Sequence, residues 1–395
     1  MDRNREFFME VLRAGLWNDG KHCMKACRMN SEEGFVPDWN LISSWAGKQT
    51  VTGMVSKGIS FLPEVLCPPN DVRKNIQFFV MKNMQMHELL DRIAVELSRT
   101  LKSAGIDSVL LKGQGLARVY DNPKLRQCGD IDLYVGRDNY RKACEVTDRI
   151  AERIARKGGE GDDKRLESDK HYHCRINGVA IEIHKKASIL SDSRYNERFA
   201  EFEKACLNPG SVMKVDLGYG TVNVPPVEFD AVFVFLHAWG HVFSSGLGLR
   251  QVCDWTMYMH RYGSELDVDV LEKRLAGMGL KKGWQIFGYV AVMYLGLPVE
   301  ECPLFTDKYC KEAEALFELV WKEGNFGHYS PENRRPRPDS YLLRKLDTLG
   351  RILKRNAITY DIDPKKSASM LGFYMKLGMK IVAKDVWKSF GKGKK

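Results

Sequence analysis

The segment HYHCRINGVAIEIH at residues 171–184 constrains the fold more tightly than any other part of this chain. Asn177-Gly178 lies at its centre between residues that favour strands, which predicts a β-hairpin with a two-residue turn. Such a turn places residue 176 opposite 179, 173 opposite 182 and 171 opposite 184. The apolar residues then share one face: Tyr172, Cys174, Ile176, Val179, Ile181 and Ile183. The other face carries the polar residues His171, His173, Arg175, Glu182 and His184.

A second half-buried strand is predicted by the alternation of polar and apolar residues in DIDLYV (130–135). Asp130 and Asp132 project from the same face of this strand, with their Cα atoms roughly 6.5–7 Å apart. Two neighbouring carboxylates repel each other unless a cation or another partner neutralises them. The pair therefore indicates either a metal site or a solvated strand face, and Gly129 beside it favours a ligand.

A third feature lies upstream, where the apolar run from Ser108 to Lys112 predicts a buried strand that ends at Gly113. The turn Lys112-Gly-Gln-Gly115 follows it and is predicted to open a short helix from Leu116 to Tyr120. Backbone N–H groups at such a turn, together with a lysine, can receive phosphate oxygens. The pattern therefore favours a phosphate-binding turn close to the two acids.

These motifs carry a resemblance to a known family. The runs LLKGQGLARVYDNPKLRQCGDIDLYV (110–135), GVAIEIHKK (178–186) and HAWGHVFSSGLGLRQVCDW (237–255) resemble the bacterial uncharacterised nucleotidyltransferases of the polymerase-β-like superfamily. The resemblance implies that Asp130 and Asp132 are the paired metal-binding carboxylates and that Glu182 is the third. It also implies that Gly113-Gln114, where the wider superfamily usually has Gly-Ser, forms the turn that grips the nucleotide.

The resemblance implies metal-dependent transfer of a nucleoside monophosphate from an NTP to an acceptor hydroxyl, with release of pyrophosphate. Three carboxylates favour Mg²⁺ or Mn²⁺ over zinc as the cofactor, and Lys112 and Arg126 are expected to contact phosphate. The acceptor would be a sugar, a lipid-linked glycan precursor, a protein or RNA. Two alternatives stay open: a toxin or abortive-infection type of nucleotidyltransferase that acts on tRNA, and a catalytically silent nucleotide-binding or scaffold module.

The histidines of the hairpin permit two further interpretations. His171, His173 and His184 lie on one face with Glu182, which is compatible with a zinc site as well as with a solvated surface. Under the resemblance, His184 and His173 are instead candidates for contacts with the acceptor or with phosphate.

Two i,i+4 pairs follow in the helical region. Arg250 and Asp254 are expected to pair with each other, the alternative being that Arg250 reaches the nucleotide. His237 and His241 are expected to be partly buried and bonded to backbone or to a neighbouring acid, because the helix lacks the glutamate of a metalloprotease motif.

The expected fold class is α+β. A small mixed-sheet nucleotidyltransferase core at residues 101–225 is flanked by a helical region at 1–100 and a helical domain at 226–395. A charged loop is expected at 158–169 and a further hairpin at 213–224. No signal-like apolar segment is present in MDRNREFF, and the ten cysteines form no CxxC pair, so the sequence predicts a cytoplasmic protein.

The net charge of +10 is concentrated at the end of the chain, since residues 364–395 hold nine lysines and one acid. The rest of the chain therefore carries only +2, which argues against a nucleic-acid binder on charge alone. Residues 366–390 predict a basic amphipathic helix with a lysine stripe opposite an apolar one. Its apolar stripe would pack on the protein's own helices, or the helix would contact an anionic membrane peripherally or an RNA acceptor.

Overall fold

A five-stranded mixed sheet forms the centre of the chain, with strand order β1-β2-β5-β4-β3. The computed structural model describes residues 2–156, 166–329 and 336–392. The strands are β1 (Val109–Leu110), β2 (Asp130–Tyr134), β3 (Leu166–Glu167), β4 (His171–Ile176) and β5 (Val179–His184). Strands β2 and β5 are parallel, and the other neighbours are antiparallel. A separate two-stranded sheet contains β6 (Met213–Asp216) and β7 (Thr221–Val224), which confirms the expected second hairpin.

The helices precede and follow this sheet, so the α+β class with helical flanks is confirmed. Those before β2 are α1 (Arg3–Trp17), α2 (Met24–Glu33), α3 (Trp39–Lys48), α4 (Thr52–Ile59), α5 (Asn70–Ser103) and α6 (Gln114–Ala117). Within and directly after the sheet lie α7 (Gly136–Arg156) and α8 (Ser193–Cys206). The C-terminal helices are α9 (Val227–Val242), α10 (Leu249–Tyr262), α11 (Val268–Gly277), α12 (Lys281–Leu295), α13 (Cys310–Glu323), α14 (Tyr341–Tyr360) and α15 (Pro364–Lys392).

The hairpin of β4 and β5 has the register expected from its turn. Residue 176 pairs with 179, 173 with 182 and 171 with 184. Asn177 and Gly178 have φ angles of 51° and 76°, the left-handed conformation that a tight type I′ turn requires. The apolar face lies in the hydrophobic core of the sheet. The expected loop at 158–169 is wrong at its end, where Leu166–Glu167 pair with β4, while residues 157–165 lie outside the described part.

The N-terminal and C-terminal helices share a hydrophobic core that is distinct from the core of the sheet. Phe8 of α1 packs edge-on against Trp321 of α13, with ring centroids 5.4 Å apart. Arg5 forms an ion pair of 2.7 Å with Glu318. The two flanks are therefore in direct contact. The division of the chain near residues 100 and 225 stays a prediction.

All ten cysteines are free thiols. Within the described part of the chain, each helix is too short or too polar to cross a lipid bilayer.

Helix α9 contains a buried carboxyl group, that of Asp230. Asp230 is 2% exposed, its Oδ1 atom has no hydrogen-bond partner among the described residues, and Arg118 is its charged neighbour. Burial raises the pKa of Asp230 from 3.8 to about 7, although Arg118 acts in the opposite direction. The folded protein therefore holds this proton more tightly than the unfolded chain does, and its stability falls as the pH rises from about 4 through 7.

We expect Asp230→Asn to raise the free energy of unfolding by about 1–3 kcal/mol at pH 8 and by less at pH 5, because the amide never ionises. Urea unfolding at the two pH values measures this difference. Asp121→Asn, a substitution at an exposed position, is the control. An equal effect of Asp230→Asn at both pH values would contradict the prediction.

Candidate active site and metal centre

Three carboxylates converge where β2 lies parallel to β5. Asp132 and Glu182 are direct register partners, and Asp130 lies two residues earlier on the same face of β2. One oxygen from each of the three groups lies within 4.8 Å of the others. Asp132 is fully buried, whereas the side chain of Asp130 is 42% exposed and opens the group to solvent. The structure thus brings together the three acids that the sequence predicts.

Lys112 neutralises part of this charge. Its Nζ lies 3.1 Å from Asp132 Oδ2 and 3.4 Å from Asp130 Oδ2. Burial lowers the pKa of Lys112, but the three surrounding acids, Asp132 foremost, outweigh burial and raise it. Burial likewise raises the pKa of Asp132, while Lys112 and a hydrogen bond from His184 outweigh it and lower the pKa overall. The carboxyl group of Asp132 is therefore ionised at neutral pH and can receive a cation.

His184 holds two of the acids together. Its Nε2 atom lies 2.9 Å from Asp132 Oδ1 and 3.1 Å from Glu182 Oε2, and the residue is 1% exposed. Since both partners are carboxylates, Nε2 must carry the proton and donate it. The pKa of Glu182 is lowered: burial raises it, but this hydrogen bond and the charge of Lys112 outweigh burial.

The alternative zinc site contains His171, Glu182 and His184, whose candidate ligand atoms also lie within 4.8 Å of one another. His171 Nδ1 is 3.5 Å from Glu182 Oε2. The Nε2 atom of His184 already donates to two carboxylates, so only its buried Nδ1 atom keeps a lone pair in this arrangement, whereas each of the three carboxylates presents an oxygen to the same space. His173 is the register partner of Glu182 across the hairpin. The geometry thus favours carboxylate oxygens, the ligands of a hard divalent cation, over imidazole nitrogens.

The turn before α6 fits against the acids. Gly113 has a φ angle of +64°, which favours glycine, and a Cβ atom there would also crowd the carbonyl oxygen of Asp130 at 3.2 Å. Helix α6 begins at Gln114 and ends at Ala117, earlier than the expected helix from Leu116 to Tyr120. Gln114 is 2% exposed, and neither polar atom of its side chain has a hydrogen-bond partner among the described residues. A buried amide without partners is costly, which favours a ligand at this turn.

The expected pair of Arg250 and Asp254 is wrong. Asp254 instead forms a two-pronged pair with Arg126, in which Nε and Nη2 each lie 2.7 Å from a carboxylate oxygen. Tyr120 donates a further hydrogen bond of 2.7 Å to Asp254. Arg250 Nη1 donates to the carbonyl oxygen of Gln127 at 2.6 Å, and its buried Nε lacks a partner within the described ranges. The charge of Arg126 is therefore compensated, whereas Arg250 has no paired carboxylate among the described residues.

A cavity of about 240 Å³ lies beside the glycine turn, Asp130 and the two arginines Arg126 and Arg250. Lys112, Gly113, Arg126 and Asp130 line it from the side of the sheet. Helices α9 and α10 contribute Phe233, Val234, His237, Ala238, Arg250, Gln251 and Asp254, and the segment after α13 contributes Asn325 and Phe326. The cavity therefore lies between the sheet and the C-terminal helices.

The sequence profile of a family described as uncharacterised nucleotidyltransferase matches residues 36–296, more than half of the 395 residues. The chain belongs to this nucleotidyltransferase family. The resemblance seen in the KGQG and GDID motifs is thereby confirmed at the level of the family. No curated protein and no solved structure matches the chain.

Two histidines of this nucleotidyltransferase differ from expectation. His237 lines the cavity and shares a contact of 3.1 Å between Nε2 atoms with His241, whose Nδ1 is 2.7 Å from Ser245 Oγ. The expected partners, backbone and acids, are thus wrong for these rings. Burial, and then the charge of Lys112, lower the pKa of His241 to about 3, so that this ring is neutral at physiological pH.

Lys170 is a functional candidate that the sequence did not reveal. Burial lowers its pKa, Lys112 lowers it further, and Asp132, Glu182 and Asp130 act in the opposite direction, so the ammonium group lies within electrostatic reach of the acids. Lys170 immediately precedes β4, and strict alternation would assign it to the apolar face with Tyr172. Because Lys170 lies outside the strand, the alternation of the hairpin does not predict on which face its side chain lies.

Proposed function

We propose that this nucleotidyltransferase transfers a nucleoside monophosphate from an NTP to an acceptor hydroxyl and releases pyrophosphate, as members of the polymerase-β-like superfamily do. The observation that carries the proposal is the convergence of Asp130, Asp132 and Glu182 beside a glycine turn and next to a cavity that Lys112 and Arg250 line. The donor set fits a hard divalent cation, and we propose Mg²⁺ or Mn²⁺.

The acidic residues of the site are assigned to binding of the metal ion. Asp130, Asp132 and Glu182 would hold the cation, which when bound neutralises charge on phosphate oxygens and polarises the reacting phosphoryl group. His184 keeps Asp132 and Glu182 at a fixed separation through its donated hydrogen bonds. Glu182 would also favour loss of the proton from the acceptor hydroxyl.

We assign phosphate binding to residues of the glycine turn and to the arginine of the cavity that has no paired carboxylate among the described residues. Arg250 and Lys112 supply positive charge, Gly113 presents its backbone, and Gln114 offers an unsatisfied amide. Arg126 lines the same cavity, but its guanidinium is already paired with Asp254. We therefore propose Arg250 as the principal arginine at the phosphates and Arg126 as the residue that positions helix α10 through Asp254.

A catalytically silent nucleotide-binding module is the second candidate. Gly113-Gln114 in place of Gly-Ser supports it, because a buried glutamine replaces the small hydroxyl residue at the turn. In that case the acids would still bind a cation and a nucleotide, but no pyrophosphate would be released.

The test uses NTPs labelled at the α- or the γ-phosphate, incubated with Mg²⁺ and candidate acceptors of each class: sugars, lipid-linked glycan precursors, proteins and RNA. A thermal-shift screen of the four NTPs first identifies the preferred nucleotide by mass action on the native state. Transfer of the α-label with release of γ-labelled pyrophosphate supports the lead proposal. Stabilisation by NTP without release of pyrophosphate supports the silent module, and the absence of any binding overturns both.

The C-terminal helices present a second surface, which we propose contacts an anionic membrane. Met375 and Met379 of α15 are 44% and 62% exposed, so at these positions the protein's own helices leave the apolar stripe uncovered. Helix α14 also exposes apolar residues at helical spacing, namely Leu343, Leu346, Leu353 and Tyr360. Lysines flank these residues on α15, and apolar residues beside basic ones suit a negatively charged lipid surface.

We expect the double substitution Met375→Glu and Met379→Glu to reduce binding to phosphatidylserine-containing vesicles by about tenfold or more, because it replaces apolar contacts with charges that the lipid repels. Co-sedimentation of the full chain with vesicles at low and high salt measures this. Met24→Glu with Val36→Glu, at two other exposed apolar positions, is the control. If both double variants sediment like the unmodified chain, the membrane proposal fails.

A further inference from the structure

The segment Gly324–Gly327, which follows α13, lies in the active-site cavity although it is outside the residues that the family profile matches. Asn325 and Phe326 line the cavity together with Lys112, Asp130 and Arg250. This wall of the cavity therefore comes from outside the matched range of residues 36–296. This wall differs in chemistry from the charged end of the cavity, since it offers an aromatic ring and an amide.

The segment is held in place by the backbone of the loop before α10. A Cβ atom at Gly246 would lie 2.6 Å from the backbone nitrogen of Gly327, and one at Gly248 would lie 3.0 Å from the Cα of Asn325. Real side chains do not tolerate the first distance, so the glycines in SSGLGL let the two loops lie backbone to backbone. The glycine motif thus serves to dock this segment against the cavity.

The two side chains of the segment are themselves constrained. Phe326 has a φ angle of +50°, which an L-residue with a bulky side chain adopts only at a cost, and its ring packs against His241 at 4.9 Å between centroids. Gln251 Nε2 donates to Asn325 Oδ1 at 2.9 Å. No described residue accepts a hydrogen bond from the Nδ2 group of Asn325, which leaves it available to a ligand. Backbone strain retained beside a cavity points to a role in binding.

We propose that Asn325 and Phe326 form the nucleobase subsite of the NTP whose phosphates lie near Lys112 and Arg250. The inference rests on the proposed function and deepens it. Phe326 stacks on the base, since every nucleobase offers a flat π-face to an aromatic ring. Asn325, fixed by Gln251, donates from Nδ2 to an acceptor on the edge of the base. Phe233 of α9 adds apolar surface to the same cavity.

Binding measurements that compare an NTP with inorganic tripolyphosphate test the subsite, because tripolyphosphate keeps the three phosphates of the NTP and lacks the ribose and the base. We expect the full-length protein with Mn²⁺ to bind its preferred NTP more tightly than tripolyphosphate. Phe326→Ala should weaken NTP binding by about 10- to 100-fold and leave tripolyphosphate binding unchanged. Phe78→Ala, which removes a 58% exposed ring from α5, is the control. Retained affinity for tripolyphosphate shows that the Phe326→Ala variant is folded.

Asn325→Asp gives a second and independent readout. The carboxylate keeps an oxygen to accept the hydrogen bond from Gln251 and replaces the Nδ2 donor with an acceptor. We expect the ranking of the four NTPs by affinity to change, with the preferred one losing about tenfold. Unchanged NTP affinity in Phe326→Ala and an unchanged ranking in Asn325→Asp would overturn the subsite while leaving the proposed function intact. If the unmodified protein binds neither NTP nor tripolyphosphate, the proposed function itself fails.

Discussion

Asp132→Asn is expected to lower the rate of pyrophosphate release by about 1,000-fold or more, which corresponds to about 4 kcal/mol of lost transition-state stabilisation. Asp132 is the fully buried member of the three acids, and it receives both the ammonium group of Lys112 and the Nε2 proton of His184. The amide keeps the shape of the side chain but removes the charge that would hold a divalent cation. Release of pyrophosphate from the preferred NTP under saturating Mg²⁺ measures the effect.

Two variants show whether the loss is specific. Glu182→Gln should have an effect of similar size, because Glu182 is the register partner of Asp132 and shares its hydrogen bond from His184. Glu145→Gln, which neutralises an exposed acid on α7, should leave the rate unchanged. Circular dichroism and the melting temperature establish that each variant is folded. A rate within tenfold of the unmodified enzyme for Asp132→Asn would remove the three acids from the catalytic centre.

The hairpin was predictable because all the information for it is local. A turn of two residues, Asn177-Gly178, defines the register, and a period of two then assigns every side chain of β4 and β5 to a face. The same reasoning located Asp130 and Asp132 on one face of β2. Glu182 could be assigned to the site only through the family resemblance, since the parallel pairing of β2 with β5 joins residues about fifty positions apart.

Contacts that depend on tertiary packing could not be predicted from the sequence. Arg250 and Asp254 have the spacing of a helical ion pair, but Arg126 reaches Asp254 from 128 positions away and forms two hydrogen bonds with it. Helical spacing indicates only which side chains can meet on one helix, and Arg126 approaches from another element with the geometry for two parallel hydrogen bonds to the carboxylate. The position of Asn325 in the cavity could not be predicted for the same reason, because it depends on the close approach of the loop that contains Gly246 and Gly248.

Lys112→Met is expected to strengthen the binding of Mn²⁺ alone by about tenfold or more while nearly abolishing turnover. The ammonium group lies 3.1 Å from Asp132 and 3.4 Å from Asp130. In the absence of metal it therefore pairs with the same carboxylate oxygens that a divalent cation would bind. Without it, the like charges of Asp132 and Glu182 repel each other, and the pKa values of both acids rise. The variant should therefore melt several degrees lower than the unmodified protein when no divalent cation is present.

Mn²⁺ should reverse this loss, because a cation that binds the folded state stabilises it by mass action and no longer competes with the ammonium group of Lys112. A thermal-shift titration with Mn²⁺ in the absence of nucleotide separates this effect from catalysis. Lys124→Met, which removes a lysine from an exposed ion pair of 2.6 Å with Glu88, is the matched control and should show the Mn²⁺ response of the unmodified protein. Equal responses of Lys112→Met and Lys124→Met would mean that the ammonium group and the cation do not share a site. A larger response in Lys112→Met, with turnover lost, would mean that Lys112 must leave the acids when metal and nucleotide bind and then acts on the phosphates.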